Sequence, residues 1–186
     1  MFQYIESHPE LHDIVVSGGD AYYLQPEDLR EIGERYEQRD CGTLSCLLTC
    51  DRLLGMDHIQ RVRFASKGLA VAPGRIQKGE PWTEALIELS KQGRKQGKQV
   101  CLHTHINHAR EITWVTKNAA NYLFEHGVIV RNQSVLLKGV NNKYEDLSDL
   151  IKTLAQINIQ PVSTLIADPI TSTRSERWRC SSSAMT

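Results

Sequence analysis

The chain has no net charge: 22 lysine and arginine residues balance 22 aspartate and glutamate residues over 186 positions. There is therefore no global field to draw in nucleic acid or an anionic membrane. No apolar run comes near the roughly 18 residues that a membrane span needs. The opening Met1-Phe2-Gln3-Tyr4-Ile5-Glu6 is neither a signal peptide nor an Arg-rich transit sequence. These gaps argue against nucleic-acid and membrane partners and point to the cytoplasm, with mitochondria left open. The five cysteines are an odd number and follow no disulfide-scaffold pattern, which favours a reducing compartment. Cys41, Cys46 and Cys50 are separated by four and then three residues. That spacing is uncommon for zinc, and the three are read as incidental.

What is present is ordinary for one globular core: 40% hydrophobic and 24% charged residues. Ile14-Val15-Val16 reads as a short buried strand ending at Ser17-Gly18-Gly19-Asp20. Pro26 suits the first turn of a helix with Leu29 and Ile32 on one face. Arg61 to Ala65 alternates as a strand should. Pro81 opens a helix carrying Ala85, Leu86 and Leu89, with Gly93 and Gly97 at its end. A strand over 100–103 follows, then a helix through Val115, Ala119, Tyr122 and Leu123 that Gly127 is placed to cap. Residues 128–130 and 135–137 form the next strand region, and Leu147, Leu150, Ile151 and Leu154 one helix face. Residues 157–162 begin a last strand, broken by Pro161. This alternation predicts an α/β fold with a mainly parallel sheet, closed into a barrel or left open. Residues 36–52 show no clean period and read as an insertion in a domain over 1–161. Residues 162–186 read as a divergent, disordered tail.

Three segments could carry chemistry. Glycines at 17–20 would let the backbone approach a ligand, and Asp20 could accept hydrogen bonds from an ammonium. A tight strand-to-helix turn explains the same residues. His103, His105 and His108 crowd with Asn107 at the end of an apolar strand. By period-2 alternation His103 and His105 share a face with Cys101, and a His-x-His pair there could bind zinc or a related metal. The amides after Arg131, at Asn132, Gln133, Asn141 and Asn142, suit ribose hydroxyls or an amide-rich ligand edge. A polar turn before a buried strand is the plainer alternative.

Together these strings resemble the lysine 2,3-aminomutases of the radical S-adenosylmethionine (SAM) superfamily. The matching stretches are DIVVSGGDA at 13–21, RFASKGLAVAP at 63–73, HTHINH at 103–108 and RNQSVLLKGVN at 131–141. They occur in the family's order, over roughly 1–35 and 53–161. The resemblance implies a partial (β/α) barrel of the radical SAM type, with SAM across the strand ends. It implies that Ser17, Gly18, Gly19 and Asp20 hold the amino group of SAM and that His105 and Gln133 contact SAM. Asn107, Asn132 and Ser66 sit beside those positions. The implied activity is that of an isomerase, a pyridoxal phosphate (PLP)-dependent amino migration converting L-lysine to β-lysine. Its implied cofactors are SAM, a [4Fe-4S] cluster and PLP, its substrate a small amino acid, and its assembly a homo-oligomer.

The chain departs from the family in three places. The cluster ligands, Cys-x3-Cys-x2-Cys, precede the glycine motif in the family and should lie upstream of Met1, so no metal ligand is assigned here. No glycine follows Gly139, so the glycine-rich segment bearing the PLP lysine is missing. Residues 36–52 have no counterpart, and Arg35 would join Leu53 smoothly. Asp168 falls near the register of a substrate-binding aspartate with unmatched neighbours. These departures imply an incomplete or inactive version of the enzyme, such as a partial gene product. Two competitors stand beside it: a metal-dependent barrel hydrolase using His103 and His105, and a non-catalytic remnant. The hydrolase lacks a downstream histidine, none following His126.

Overall fold

Five parallel strands make one sheet whose spatial order is the order of the chain. The computed structural model describes residues 2–17, 19–33 and 53–166. The strands are β1 (Asp13–Val16), β2 (Arg61–Ala65), β3 (Gln99–Thr104), β4 (Ile129–Leu136) and β5 (Ile159–Ile166). The helices are α1 (Phe2–Glu6), α2 (Pro26–Gly33), α3 (Gly68–Val71), α4 (Pro81–Lys95), α5 (Trp114–Glu125) and α6 (Tyr144–Gln156). Parallel neighbours in chain order require every crossover to step the same way. Right-handed crossovers then put the connecting helices on one face. A doubly wound sheet would reverse at a switch point. This one does not, and the fold is α/β with the strand arrangement of a partial (β/α) barrel.

Alternation sorts the strand side chains. Val62, Phe64, Val100, Leu102 and Val130 are buried against Leu29, Leu86, Leu89, Leu123, Leu150 and Leu154 in one core. The opposite face carries Asp13, Arg61, Arg63, Gln99, Cys101, His103 and Arg131, aligned by the register Asp13–Arg61–Gln99 and His103–Arg131. Polar residues there are what a strand buried on one side only should show.

Local signals act largely as expected. Pro26 and Pro81 open α2 and α4. Gly127 follows α5 at φ 72°, a conformation that favours glycine. Gly93 differs: it lies inside α4, not at its end. A Cβ there would come within 2.9 Å of Val100 Cγ2, so packing on β3 demands the glycine. Pro161 also differs from expectation. It does not end the last strand; β5 runs through it to Ile166, past the boundary expected at 161. The register shifts between Asn132 and Gln133 opposite this point, and a bulge beside a proline spares the ladder a missing N–H. Residues 36–52 and 167–186 lie outside the described residues, as do Gly18 and Asp168.

Candidate functional site

The loops at the carboxyl ends of β1 to β4 meet in one polar rim, where (β/α) barrels place their chemistry. Its first corner follows β1. Asp20 accepts hydrogen bonds from Tyr22 N (2.9 Å) through Oδ1 and from Lys67 N (2.8 Å) through Oδ2. One carboxylate thereby ties the β1 loop to the β2 loop, while spare lone pairs stay available. Tyr22 strengthens the tie. Its hydroxyl donates to the Ala72 carbonyl, and its ring lies where a Cβ on Gly68 would sit, 2.6 Å away. Gly19 has φ 139° and open space around it, so its backbone is accessible in a conformation favouring glycine. Ser17 is exposed beside it. Ser66 is buried at the end of β2 and accepts from Gly68 N at 2.9 Å.

The second corner joins β3 to β4. Asn132 is 1% exposed, and its amide brackets the neighbouring loop. Oδ1 accepts from Ile106 N (2.8 Å), and Nδ2 donates to Ile106 O (2.9 Å) and Ser134 Oγ (2.8 Å). Asn107 accepts from Val135 N (2.8 Å) and lies 3.2 Å from His105 Nε2 through its Nδ2. Asn141, fully buried, donates to Asn107 O and Val135 O. These asparagines serve as braces, not as the ribose-facing amides that residue type alone suggested for Asn132 and Asn141. Glu111, which the sequence did not single out, accepts from Asn107 N (2.9 Å) and His108 N (3.0 Å). Lys67, also missed, places its Nζ 3.8 Å from Glu111 Oε2 across the rim. A residue's role as a loop clamp between distant segments leaves no periodic trace.

Two predicted side chains differ in how they are held. His105 is kept neutral: burial depresses its pKa and the Lys67 ammonium adds to this. Asn107 Nδ2 lies against its Nε2, and the Gln133 backbone opposes the fall. The Gln133 side chain, on the same sheet face as Arg131, makes no hydrogen bond among the described residues. Its amide is free to serve a ligand.

The three histidines do not converge. His103 lies lower on the sheet, and His108 Nδ1 caps the 109–111 turn by accepting from Arg110 N at 3.1 Å. Among the described residues no three His, Cys, Asp or Glu side chains are grouped to hold a metal. The donor set thus does not support the hydrolase. Nor does it fit an iron-sulfur cluster: Cys101, the cysteine among the described residues, is fully buried, and burial pushes its thiol pKa up.

Comparison with known proteins decides the kinship. The L-lysine 2,3-aminomutase of Escherichia coli is 32% identical over 168 residues, 90% of this chain and 42% of that protein. That of Acetoanaerobium sticklandii is 31% identical over 159 residues, 86% of this chain and 32% of the relative. The chain belongs, as a part-length relative, to the lysine 2,3-aminomutase family. It spans about a third to two fifths of the length of these aminomutases. A glutamate 2,3-aminomutase of Clostridioides difficile is also similar, 30% identical over 158 residues. The names of these relatives thus cover at least two different amino acids. No protein-family model matches the chain. Among the described residues no helix is long and apolar enough to cross a membrane.

Proposed function

We propose that this chain supplies the SAM-binding wall of an aminomutase acting on a small amino acid. The observation that carries the proposal is the free Gln133 amide beside the neutral His105 ring, on the same rim of strand ends as the β1 loop that Asp20 ties to the β2 loop. In this reading Ser17, Gly18 and Gly19 receive the amino and carboxylate end of SAM, and Asp20 holds that loop in place. Gln133 hydrogen-bonds the nucleoside, and the His105 face stacks against it. Ser66, Asn107 and Asn132 shape the wall through the hydrogen bonds described above. Bound SAM would supply the adenosyl radical on reduction; the residues here bind it, orient it and exclude water. Asp168 as a substrate contact, PLP as the second cofactor and a homo-oligomeric assembly are proposed on the family resemblance alone.

The ligands of a [4Fe-4S] cluster and the PLP lysine have no match in these 186 residues. The chain by itself is accordingly proposed to bind SAM without turning over lysine. Anaerobic reconstitution with iron and sulfide tests this. The expected result is no stoichiometric cluster in the absorbance spectrum and no β-lysine. A stoichiometric cluster, or turnover, would overturn the reading.

Residues 36–52 are proposed as an insertion between two parts of one scaffold. Supporting this, α2 packs against the turn Leu53–Gly55, whose two leucines are buried. The chain thus returns near the place it left.

A further inference from the structure

The sheet face opposite the helices carries an unbalanced charge. Arg61, Arg63 and Arg131 project there with one acid, Asp13, at the described strand positions of that face. Asp13 is taken twice, by Arg63 Nε at 2.8 Å and Arg61 at 3.2 Å, and Arg61 Nε also donates to Gln99 at 2.7 Å. Nothing comparable serves the next row up. His103 pairs with Ala65 on one side and Arg131 on the other, and Arg63 lies diagonally below. His103 Nε2 and Arg131 Nε are both buried, and neither has a hydrogen-bond partner. Two buried orphan nitrogens on residues paired across neighbouring strands are costly unless a further group satisfies them.

We propose that Arg63, His103 and Arg131 form a binding site for an oxyanion, a carboxylate or a phosphate group. Such a group accepts from the guanidinium fork of Arg131 and from His103 in its Nε2–H tautomer, and it cancels the excess positive charge. Electrostatics point the same way. Burial, then the Arg63 and Arg131 charges, lower the His103 pKa to about 4, with Asp13 opposing and Arg61 adding to the fall. Cys101, the remaining titratable group on that face among the described residues, is held as the neutral thiol by burial. His103 and Arg131 each lie two residues, about 7 Å, before His105 and Gln133 on their strands, so the site is a neighbour of the proposed SAM wall built from different side chains. It does not depend on that reading.

The test is an NMR titration of the imidazole Cε1–H signals at pH 7 and constant ionic strength in sodium chloride. Inorganic phosphate is the probe in one arm and acetate in the other, with the His103 signal assigned from His103→Gln. At least one anion should shift His103 saturably and raise its pKa toward the ordinary value. Arg131→Gln should weaken that binding about tenfold or more. Arg131→Lys, which keeps the charge and loses the fork, should fall between and guards against a misfolded glutamine variant. The arm that responds identifies the oxyanion class. Should neither anion move His103, or should both Arg131 variants that fold bind like the parent, the site does not exist. A parallel SAM titration, repeated in Arg131→Gln, distinguishes the two readings: SAM affinity unchanged by that variant separates the oxyanion site from the SAM wall.

Discussion

His103 couples the electrostatics of the sheet face to folding. Its folded pKa of about 4 lies below the roughly 6.5 of an unfolded imidazole. Between those values the unfolded chain binds the extra proton, so stability is present near neutral pH and falls as pH drops from about 6.5 toward 4. Urea unfolding at pH 7, 6 and 5 should show that decline, and His103→Gln should flatten it; an unchanged profile would contradict the assignment. The asparagines behave otherwise. Asn132→Ala leaves the buried Ile106 N–H without its acceptor, while the Ile106 carbonyl keeps Ser134 Oγ, and should cost about 1–3 kcal/mol in the same assay. The sequence held a clue to this role. Asn132 is two residues from the buried Val130, so strand parity already turned it toward the helices. Residue type suggested a ligand contact; strand parity fits the brace that the structure shows. Asp20 had no such clue, since its partner Lys67 N lies 47 residues away.

At the scale of elements, the parallel alternation was readable because each strand and helix carries its own period and its own punctuation. Pro26, Pro81 and Gly127 act locally and could be read locally. Gly93 and Pro161 could not, because their neighbours decide what they do. Gly93 answers to Val100 across a turn, and Pro161 is tolerated by a bulge against β4. Gly68 belongs to the same class. A Cβ there meets the Tyr22 ring at 2.6 Å, so Gly68→Ala should displace the ring from between the β1 and β2 loops. The expected outcome is a loss of about 1–3 kcal/mol in unfolding free energy. The insertion can be tested at this scale too. Joining Arg35 to Leu53 should preserve cooperative unfolding and SAM affinity, because α2 already packs on the Leu53–Gly55 turn. Loss of the cooperative transition would show that 36–52 are integral to the scaffold.

For the whole molecule, the histidine cluster shows what residue lists leave undecided. Three histidines within six positions suggested a metal, yet His108 caps a turn and His103 and His105 sit at different heights. The ligand proposed in place of a metal, on the family kinship and the arrangement of the rim, is a nucleotide-like one across the strand ends. The chain covers about a third to two fifths of its relatives. Its proposed role is correspondingly narrow: a wall that binds SAM, lacking the groups that would activate it. Isothermal titration of the 186-residue chain with SAM, repeated with Gln133→Leu, tests that role most directly. Saturable binding is expected, weakened at least tenfold in a leucine variant that unfolds like the parent. Absence of saturable SAM binding to the folded chain, or equal affinity in the variant, would contradict that role.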